Sequence, residues 1–193
     1  MQIRSVCVLC GSNEGADTVY RDSAVRLGRL IVDNGMRLVY GGGSVGLMGA
    51  VATGVMDAGG EVVGVIPEFL IRAEVGNPNV SELIVTESMH DRKRRMFEMS
   101  DAFVVLPGGL GTLDETFEII TWKQLRLHLS PIIVIDVAGY WAPLSVLLDS
   151  TVRAGFADPS VLDLLQVVAS PEDAVSLLAV TGRTERTCVS DQL

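Results

Sequence analysis

The feature that most constrains the fold is a regular alternation of short apolar runs with longer segments of helical spacing. This alternation implies a parallel sheet with helices on both faces, and near-continuous apolar runs fit strands buried on both sides. The predicted strands are 6–9, 37–40, 62–66, 83–85, 103–106, 132–135 and 165–168. The predicted helices are 18–34, 47–58, 89–100, 112–128, 140–155 and 171–180. We therefore predict an α/β fold, a single-domain Rossmann-like open parallel sheet flanked by helices on both faces.

The chain of 193 residues is 48% hydrophobic, which suits one compact domain. We assign residues 1–181 to that domain and predict that the polar end, 182–193, is a flexible tail. The segment 67–78 is the longest irregular connection, so we expect it to cover a site.

The charge balance limits the partners of the protein. A net charge of −9 argues against a broad surface for nucleic acid or anionic membrane, because both need a basic face. The chain has no apolar stretch of about eighteen residues, and its start lacks the basic, apolar and small-residue regions of a signal peptide. These features predict a soluble, cytoplasmic protein that binds a small anion locally.

Cys7 and Cys10 have the spacing of a C-x-x-C motif, but both lie within or beside the first predicted strand. An offset of three along a strand sends side chains to opposite faces, about 10 Å apart along the strand, so we expect two buried thiols. His90 and His128 are far apart in sequence, and no spacing typical of a metal site is visible.

Three glycine-bearing turns follow predicted strands, at 11–12, 41–44 and 108–112. In open parallel sheets these strand ends form the ligand crevice, where backbone N–H groups and a helix N-terminus can bind phosphate. Strand-to-helix turns also need glycine for geometry alone. Two common nucleotide-binding motifs are also missing from these turns, namely the lysine of a Walker A loop and the G-x-G-x-x-G pattern. Their absence disfavours ATP hydrolysis and hydride transfer.

Two charged groups flank the predicted crevice. Thr112 and Glu115 have the spacing of a capping box, yet Glu115 also lies within one turn of the anion-binding helix end. Four cations follow one another at 92–95, and on a helix at most two of them share a face. Arg92 and Lys93 are nearest the helix start, so we expect them at the crevice.

These residues resemble the Lonely Guy family of cytokinin riboside 5'-monophosphate phosphoribohydrolases, whose members have also been described as lysine decarboxylases. The family pattern P-G-G-x-G-T-x-x-E is met by PGGLGTLDE at 107–115, and Met-His-Glu-Arg-Lys is met at 89–93 with Asp91 in place of Glu. The resemblance extends over roughly residues 3 to 160 and includes the glycine turn within 40–49, Ile-Thr-Trp at 120–122 and Gly-Tyr at 139–140.

The resemblance implies hydrolysis of the N-glycosidic bond of N6-substituted adenosine 5'-monophosphates, with neither cofactor nor metal. It implies that Arg92 and Glu115 are the catalytic pair. The residues that it implies for substrate binding are Ser12, Gly42, Gly43, Glu74, Lys93, Gly108, Gly109, Gly111, Thr112 and Thr121. Family members are usually homodimers in which a helix of one subunit borders the site of the other.

Three alternatives remain open. The crevice could hold a nucleotide without chemistry, or the enzyme could be a general AMP nucleosidase. A lysine decarboxylase would need a Schiff-base lysine, and Lys93 and Lys123 are the only lysines. Leu110 stands where relatives often carry an aromatic residue, and Thr116-Phe117 replace a commoner leucine pair, so the preferred base stays undetermined.

Overall fold

The computed structural model describes residues 3–71 and 75–190. In this part of the chain, seven strands form one sheet in the order β4-β3-β2-β1-β5-β6-β7. All neighbouring strands are parallel. The strands are β1 Ser5–Leu9, β2 Arg37–Tyr40, β3 Val62–Pro67, β4 Glu82–Thr86, β5 Ala102–Val105, β6 Ile132–Ile135 and β7 Gln166–Val168. The predicted α/β fold is confirmed, with each predicted strand within one or two residues of its observed bounds.

Six α-helices follow these strands in the described residues, one after each strand except β3, which is followed by a short 3₁₀ turn, Glu68–Leu70. They are α1 Thr18–Asp33, α2 Gly46–Asp57, α3 Met89–Glu98, α4 Leu110–Gln124, α5 Ala142–Arg153 and α6 Pro171–Ser190. The helical backbone of α6 continues past the end predicted at Val180, through most of the segment that we predicted as a tail.

The sheet divides the core into two layers. Helices α1, α2 and α6 each pack apolar side chains against one face of the sheet. Helices α3, α4 and α5 pack against the other face. Cys7 belongs to the second layer and Cys10 to the first, and neither of them forms a disulfide. The predicted burial of these thiols on opposite faces is confirmed.

The topology fixes where a ligand can bind. The chain runs from β1 outward through β2, β3 and β4, and then returns to the other side of β1 as β5. This reversal is a topological switch point, outside which the carboxyl ends of neighbouring strands leave a crevice. Leu9 of β1 pairs with Val105 of β5, so these two central strands end level with each other.

The predicted bounds of α4 are wrong at both ends. The helix begins at Leu110 with Gly109 as its N-cap, so Thr112 is the third helical residue and the predicted capping box of Thr112 and Glu115 is absent. The extended backbone of Gly109, with φ −92° and ψ −154°, starts the helix two residues early. At the other end, Arg126 adopts a left-handed φ of 60°, which stops the helix before the predicted His128.

The irregular connection after β3 is tied to the glycine turn after β2. Gly43 and Gly76 form an isolated antiparallel bridge, and the Asn77 N–H donates to the Gly42 carbonyl at 2.9 Å. The Ser44 N–H donates to the Val75 carbonyl at 2.9 Å. The backbone at 42–44 therefore anchors this connection.

Candidate active site

A cleft of about 500 Å³ opens at the carboxyl ends of the central strands. Its wall comes from the turns after β1, β2 and β5 and from the connection after β6. Of the residues predicted for the site, those that line the cleft are Ser12, Arg92, Gly108, Gly109, Gly111, Thr112 and Glu115. The fold thus gathers both members of the predicted catalytic pair and the glycine turn around one space.

Two helices point their N-termini toward the cleft, but their amide groups differ in what they bind. At α2, the N–H groups of Leu47 and Met48 donate to the Gly11 carbonyl at 3.0 and 3.3 Å. At α4, no side chain caps the helix. Because the first N–H groups of a helix lack intrahelical acceptors, the start of α4 presents donors to the cleft. Of these two helix ends, that of α4 is therefore the one whose amide donors an anion could occupy.

Arg92 is a buried cation at the floor of the cleft, with 4% of its surface exposed. Its Nε donates to the Val65 carbonyl at 3.1 Å, and its Nη2 donates to the Gly41 carbonyl at 2.8 Å. The sulfur atoms of Met89 and Met48 lie 3.8 and 3.9 Å from its Nη1 and Nη2. These contacts fix the plane of the guanidinium group.

Gly41 is required for this placement of Arg92. A Cβ atom on residue 41 would lie 2.1 Å from Arg92 Nη2 and 2.9 Å from the Met48 sulfur. The family resemblance implies Gly42 and Gly43 for substrate binding, whereas Gly41 is the glycine of this turn that lines the cleft. Sequence alone did not distinguish the three glycines, because the distinction depends on how Arg92 crosses from another helix.

The helix that carries Arg92 begins with its own cap. The Ser88 hydroxyl accepts from the Asp91 N–H at 3.1 Å and donates to the Asp91 carboxylate at 2.7 Å. Asp91 also accepts from Arg94 at 2.7 Å. The replacement of Glu by Asp in the Met-His element therefore affects the start of α3, one residue before Arg92.

Glu115 lies one helical turn after Thr112 on α4, and both residues line the cleft. It is half-buried, and its far side borders a small pocket next to Cys7. Burial first, and then the negative charge of Glu115, raise the pKa of the Cys7 thiol. Cys7 therefore remains neutral beneath the carboxylate.

Lys93 lies beside the cleft rather than in its lining. Its Nζ contacts the carboxylates of Asp114 at 3.1 Å and Glu118 at 3.2 Å. Burial opposes the charge, but the two carboxylates outweigh it, and the pKa of Lys93 is raised. The group joins α3 to α4 as a fixed ammonium.

Three of the other residues predicted for substrate binding are not among those that line the cleft. Gly42 and Gly43 hold the irregular connection, as described above, and neither lines the cleft. Thr121 is exposed on α4 and donates its hydroxyl to the Phe117 carbonyl at 2.7 Å. Glu74 lies outside the described residues.

Several cleft residues were not among the predicted ones. These are chiefly Asn13, Glu14, Tyr20, Gly41, Met48, Met89, Met96 and Tyr140. Gly-Tyr at 139–140 belongs to the resemblance, which was a usable signal for Tyr140. Met48 and Met96 lie on the buried faces of α2 and α3, and helical spacing alone does not separate such a cleft residue from a core residue.

Comparison with known proteins assigns the family. The model of the family described as "Possible lysine decarboxylase" matches residues 48–178. A relative from Oryza sativa subsp. japonica, named "Probable cytokinin riboside 5'-monophosphate phosphoribohydrolase LOGL9", is 48% identical over 177 residues, which cover 92% of this chain and 77% of the relative. The cytokinin riboside 5'-monophosphate phosphoribohydrolase LOG3 of Arabidopsis thaliana is 41% identical over 177 residues, which cover 92% of this chain and 82% of that relative.

The chain belongs to the Lonely Guy family.

Solved structures agree with this fold. The molybdenum cofactor binding protein of Rippkaea orientalis matches with a TM-score of 0.69 at 25% identity, covering 92% of this chain and 96% of that protein. The molybdenum cofactor carrier protein of Chlamydomonas reinhardtii matches with a TM-score of 0.67 at 22% identity, covering 91% of this chain and 95% of that protein. The fold of this Lonely Guy protein is thus shared with carrier proteins.

The lysine decarboxylase description does not fit the lysines of this Lonely Guy protein. A Schiff base forms from a neutral amine, whereas the two carboxylates beside Lys93 favour its charged form. Burial lowers the pKa of Lys123, but this residue does not line the cleft. Neither lysine therefore offers a reactive amine to that space.

Two absences apply to the described part of the chain. Among the side chains that the structure describes, no three of His, Cys, Asp or Glu lie together as a metal site would require. No helix within residues 3–71 and 75–190 is long and apolar enough to cross a membrane.

Proposed function

We propose that this protein hydrolyses the N-glycosidic bond of N6-substituted adenosine 5'-monophosphates to the free base and ribose 5-phosphate. The names of the relatives from Oryza sativa subsp. japonica and Arabidopsis thaliana support the reaction. The observation that carries the proposal is the position of Glu115, less than two turns after the uncapped N-terminus of α4 and in the same cleft. A phosphate at the helix end would bring the attached ribose to the carboxylate.

The start of α4 suits the 5'-phosphate. Its uncapped N–H groups and the partial positive charge of the helix end favour an anion. Gly108, Gly109, Gly111 and Thr112 line the cleft there, and glycine lets the backbone approach the phosphate closely. Ser12 lies on the opposing turn after β1.

Glu115 would act on the ribose. Cleavage of the C1'–N9 bond builds positive charge on the sugar, so a nearby carboxylate stabilises the transition state more than the ground state. The same carboxylate can orient a water molecule toward C1'. The water supplies the hydroxyl group at C1' and the proton that the departing base needs, so the reaction requires no further reactant.

Arg92 would place a positive charge at the floor of the cleft. Its guanidinium group is anchored by two main-chain carbonyls, so its charge cannot swing away from the cleft. A fixed cation in the same space can pair with substrate oxygens. The raised pKa of Lys93 places a second fixed cation beside α4.

We also propose a homodimer whose interface lies near the site. Leu110, at the edge of the cleft, is 85% exposed. Three further leucines, Leu125, Leu127 and Leu129, are exposed just after α4.

The cytoplasmic location expected from the sequence stays a prediction.

Product analysis tests the reaction. The protein is incubated with N6-isopentenyladenosine 5'-monophosphate and, separately, with AMP, and the free base is separated by chromatography. We expect base release from the N6-substituted substrate with the higher kcat/KM. Equal values would favour a general AMP nucleosidase, and binding of both nucleotides without base release would favour a non-catalytic binding module.

A further inference from the structure

Tyr140 is a cleft residue to which the reaction above assigns no role. It follows a short 3₁₀ turn, Val137–Gly139, after β6. Its phenol O–H donates to the Gly108 carbonyl at 2.5 Å, across 32 residues of sequence. This hydrogen bond connects the end of β6 to the glycine turn before α4.

The backbone around Tyr140 is held in an uncommon conformation. Ala138 adopts a left-handed φ of 53°, although it is not glycine, and Gly139 follows with φ 76°. The Asp136 carboxylate accepts from the Trp141 N–H at 2.5 Å, and the Asp136 N–H donates to the Val168 carbonyl at 2.8 Å. The turn that carries Tyr140 is therefore tied to the edge of the sheet.

Two rings brace the Tyr140 side chain. Its ring meets the Trp141 ring edge to face, with centroids 4.9 Å apart, and Trp141 is buried in the core. On the other side it meets Tyr20 at 5.9 Å and 74°. Tyr20 also lines the cleft, so the pair forms its wall at the glycine turn.

The hydrogen bond has two physical consequences for an anion. A carbonyl oxygen carries partial negative charge, and the phenol donor satisfies the Gly108 oxygen where it would otherwise repel a phosphate. The peptide group is planar and trans, so fixing the Gly108 carbonyl also fixes the direction of the Gly109 N–H. Gly109 is the N-cap of α4, so the bond orients the first donor of the helix end.

We propose that Tyr140 is a positioning residue for the phosphate: through the Gly108 carbonyl, it sets the donors of the glycine turn and thereby the affinity for the 5'-phosphate. This inference rests on the proposed function for the identity of the anion. It predicts that Tyr140 acts on phosphate recognition and leaves recognition of the base unaffected.

The test measures binding of two product fragments by titration calorimetry, without catalysis. The ligands are ribose 5-phosphate and N6-isopentenyladenine, and the variant is Tyr140→Phe, which keeps the ring contacts and removes the hydroxyl. Loss of one neutral hydrogen bond predicts an increase of about three- to tenfold in the Kd of ribose 5-phosphate. The Kd of the base should stay as in the wild type, which a general loosening of the fold would not allow.

Tyr20→Phe is the matched control, because it removes the other hydroxyl of the same ring pair. It should raise the Kd of ribose 5-phosphate less than Tyr140→Phe does. An unchanged Kd in Tyr140→Phe, an equal loss for both ligands, or an equal effect of Tyr20→Phe would overturn the inference. A wild-type protein that binds ribose 5-phosphate but releases no base from any tested nucleotide would overturn the proposed function alone.

Discussion

At the scale of single residues, the site depends on which atoms approach each other from distant parts of the chain. The sequence allowed Arg92 and Glu115 to be selected, since both lie in recognisable motifs, and the structure brings both to one cleft. It did not select Gly41, whose role depends on the guanidinium group that crosses from α3. Nor could spacing show that Lys93 is held between two carboxylates beside the cleft.

Gly41→Ala tests the placement of Arg92. The new Cβ would lie 2.1 Å from Nη2, so the guanidinium group must shift and lose its bond to the carbonyl of residue 41. We expect kcat/KM to fall by about tenfold or more and the free energy of unfolding to fall by about 1–3 kcal/mol. Steady-state kinetics and urea titration measure the two effects.

Gly76→Ala is the control for that substitution. The added Cβ would have its nearest contact at 3.5 Å, which is an ordinary packing distance. Its kcat/KM should stay closer to the wild-type value than that of Gly41→Ala. If Gly41→Ala retained full activity, the position of Arg92 would not matter for the reaction.

At the scale of secondary structure elements, α4 shows where sequence patterns are informative and where they fail. Its existence followed from helical spacing, but the Thr-x-x-Glu pattern gave a false start at Thr112. The true start leaves the N–H groups of the glycine turn without a side-chain cap, which suits a ligand better than a capping box would. At its end, the left-handed backbone of Arg126 turns the chain so that His128 packs back on the helix.

The environment of His128 predicts a pH dependence of stability. Its Nε2 lies 2.9 Å from the Ile119 carbonyl, and its ring packs against Phe97 and Phe103. Burial lowers the pKa of His128 below its usual value. Below about pH 6.5 the unfolded chain therefore binds more protons than the folded one, and the free energy of unfolding should decrease as the pH falls.

Urea titrations between about pH 5 and pH 7.5 measure this dependence, since the range spans the usual pKa of histidine. In His128→Gln, which cannot titrate, the dependence should be shallower than in the wild type. His90→Gln is the control, because His90 is the other histidine and is exposed on α3. A wild-type slope in His128→Gln would contradict the assigned role of burial.

At the scale of the whole molecule, the alternation of strands and helices was sufficient to predict the sheet and its two helical layers. The order of strands was not predicted in detail, because strand order depends on long-range pairing rather than on local pattern. The switch point between β1 and β5 then explains why the glycine turns converge on one cleft.

The proposed homodimer is tested by light scattering coupled to gel filtration. We expect a mass twice that of the single chain in the wild type. Leu127→Glu together with Leu129→Glu should shift it to the monomer, because charges would be buried on the exposed leucines after α4. Phe156→Glu, at an exposed residue that follows α5, should leave the mass unchanged. A monomeric wild type would contradict the proposal.

The role of the Glu115 carboxylate is tested by comparing kcat/KM for N6-isopentenyladenosine 5'-monophosphate in the wild type and in Glu115→Gln. This substitution keeps the shape of the side chain and removes the charge that would stabilise the ribose cation. The matched control is Asp114→Asn, which removes a neighbouring carboxylate of α4 that lies outside the cleft. We predict a loss on the order of 10³ in Glu115→Gln, with folding and ribose 5-phosphate binding retained. Activity of Glu115→Gln within a few-fold of the control would contradict the account.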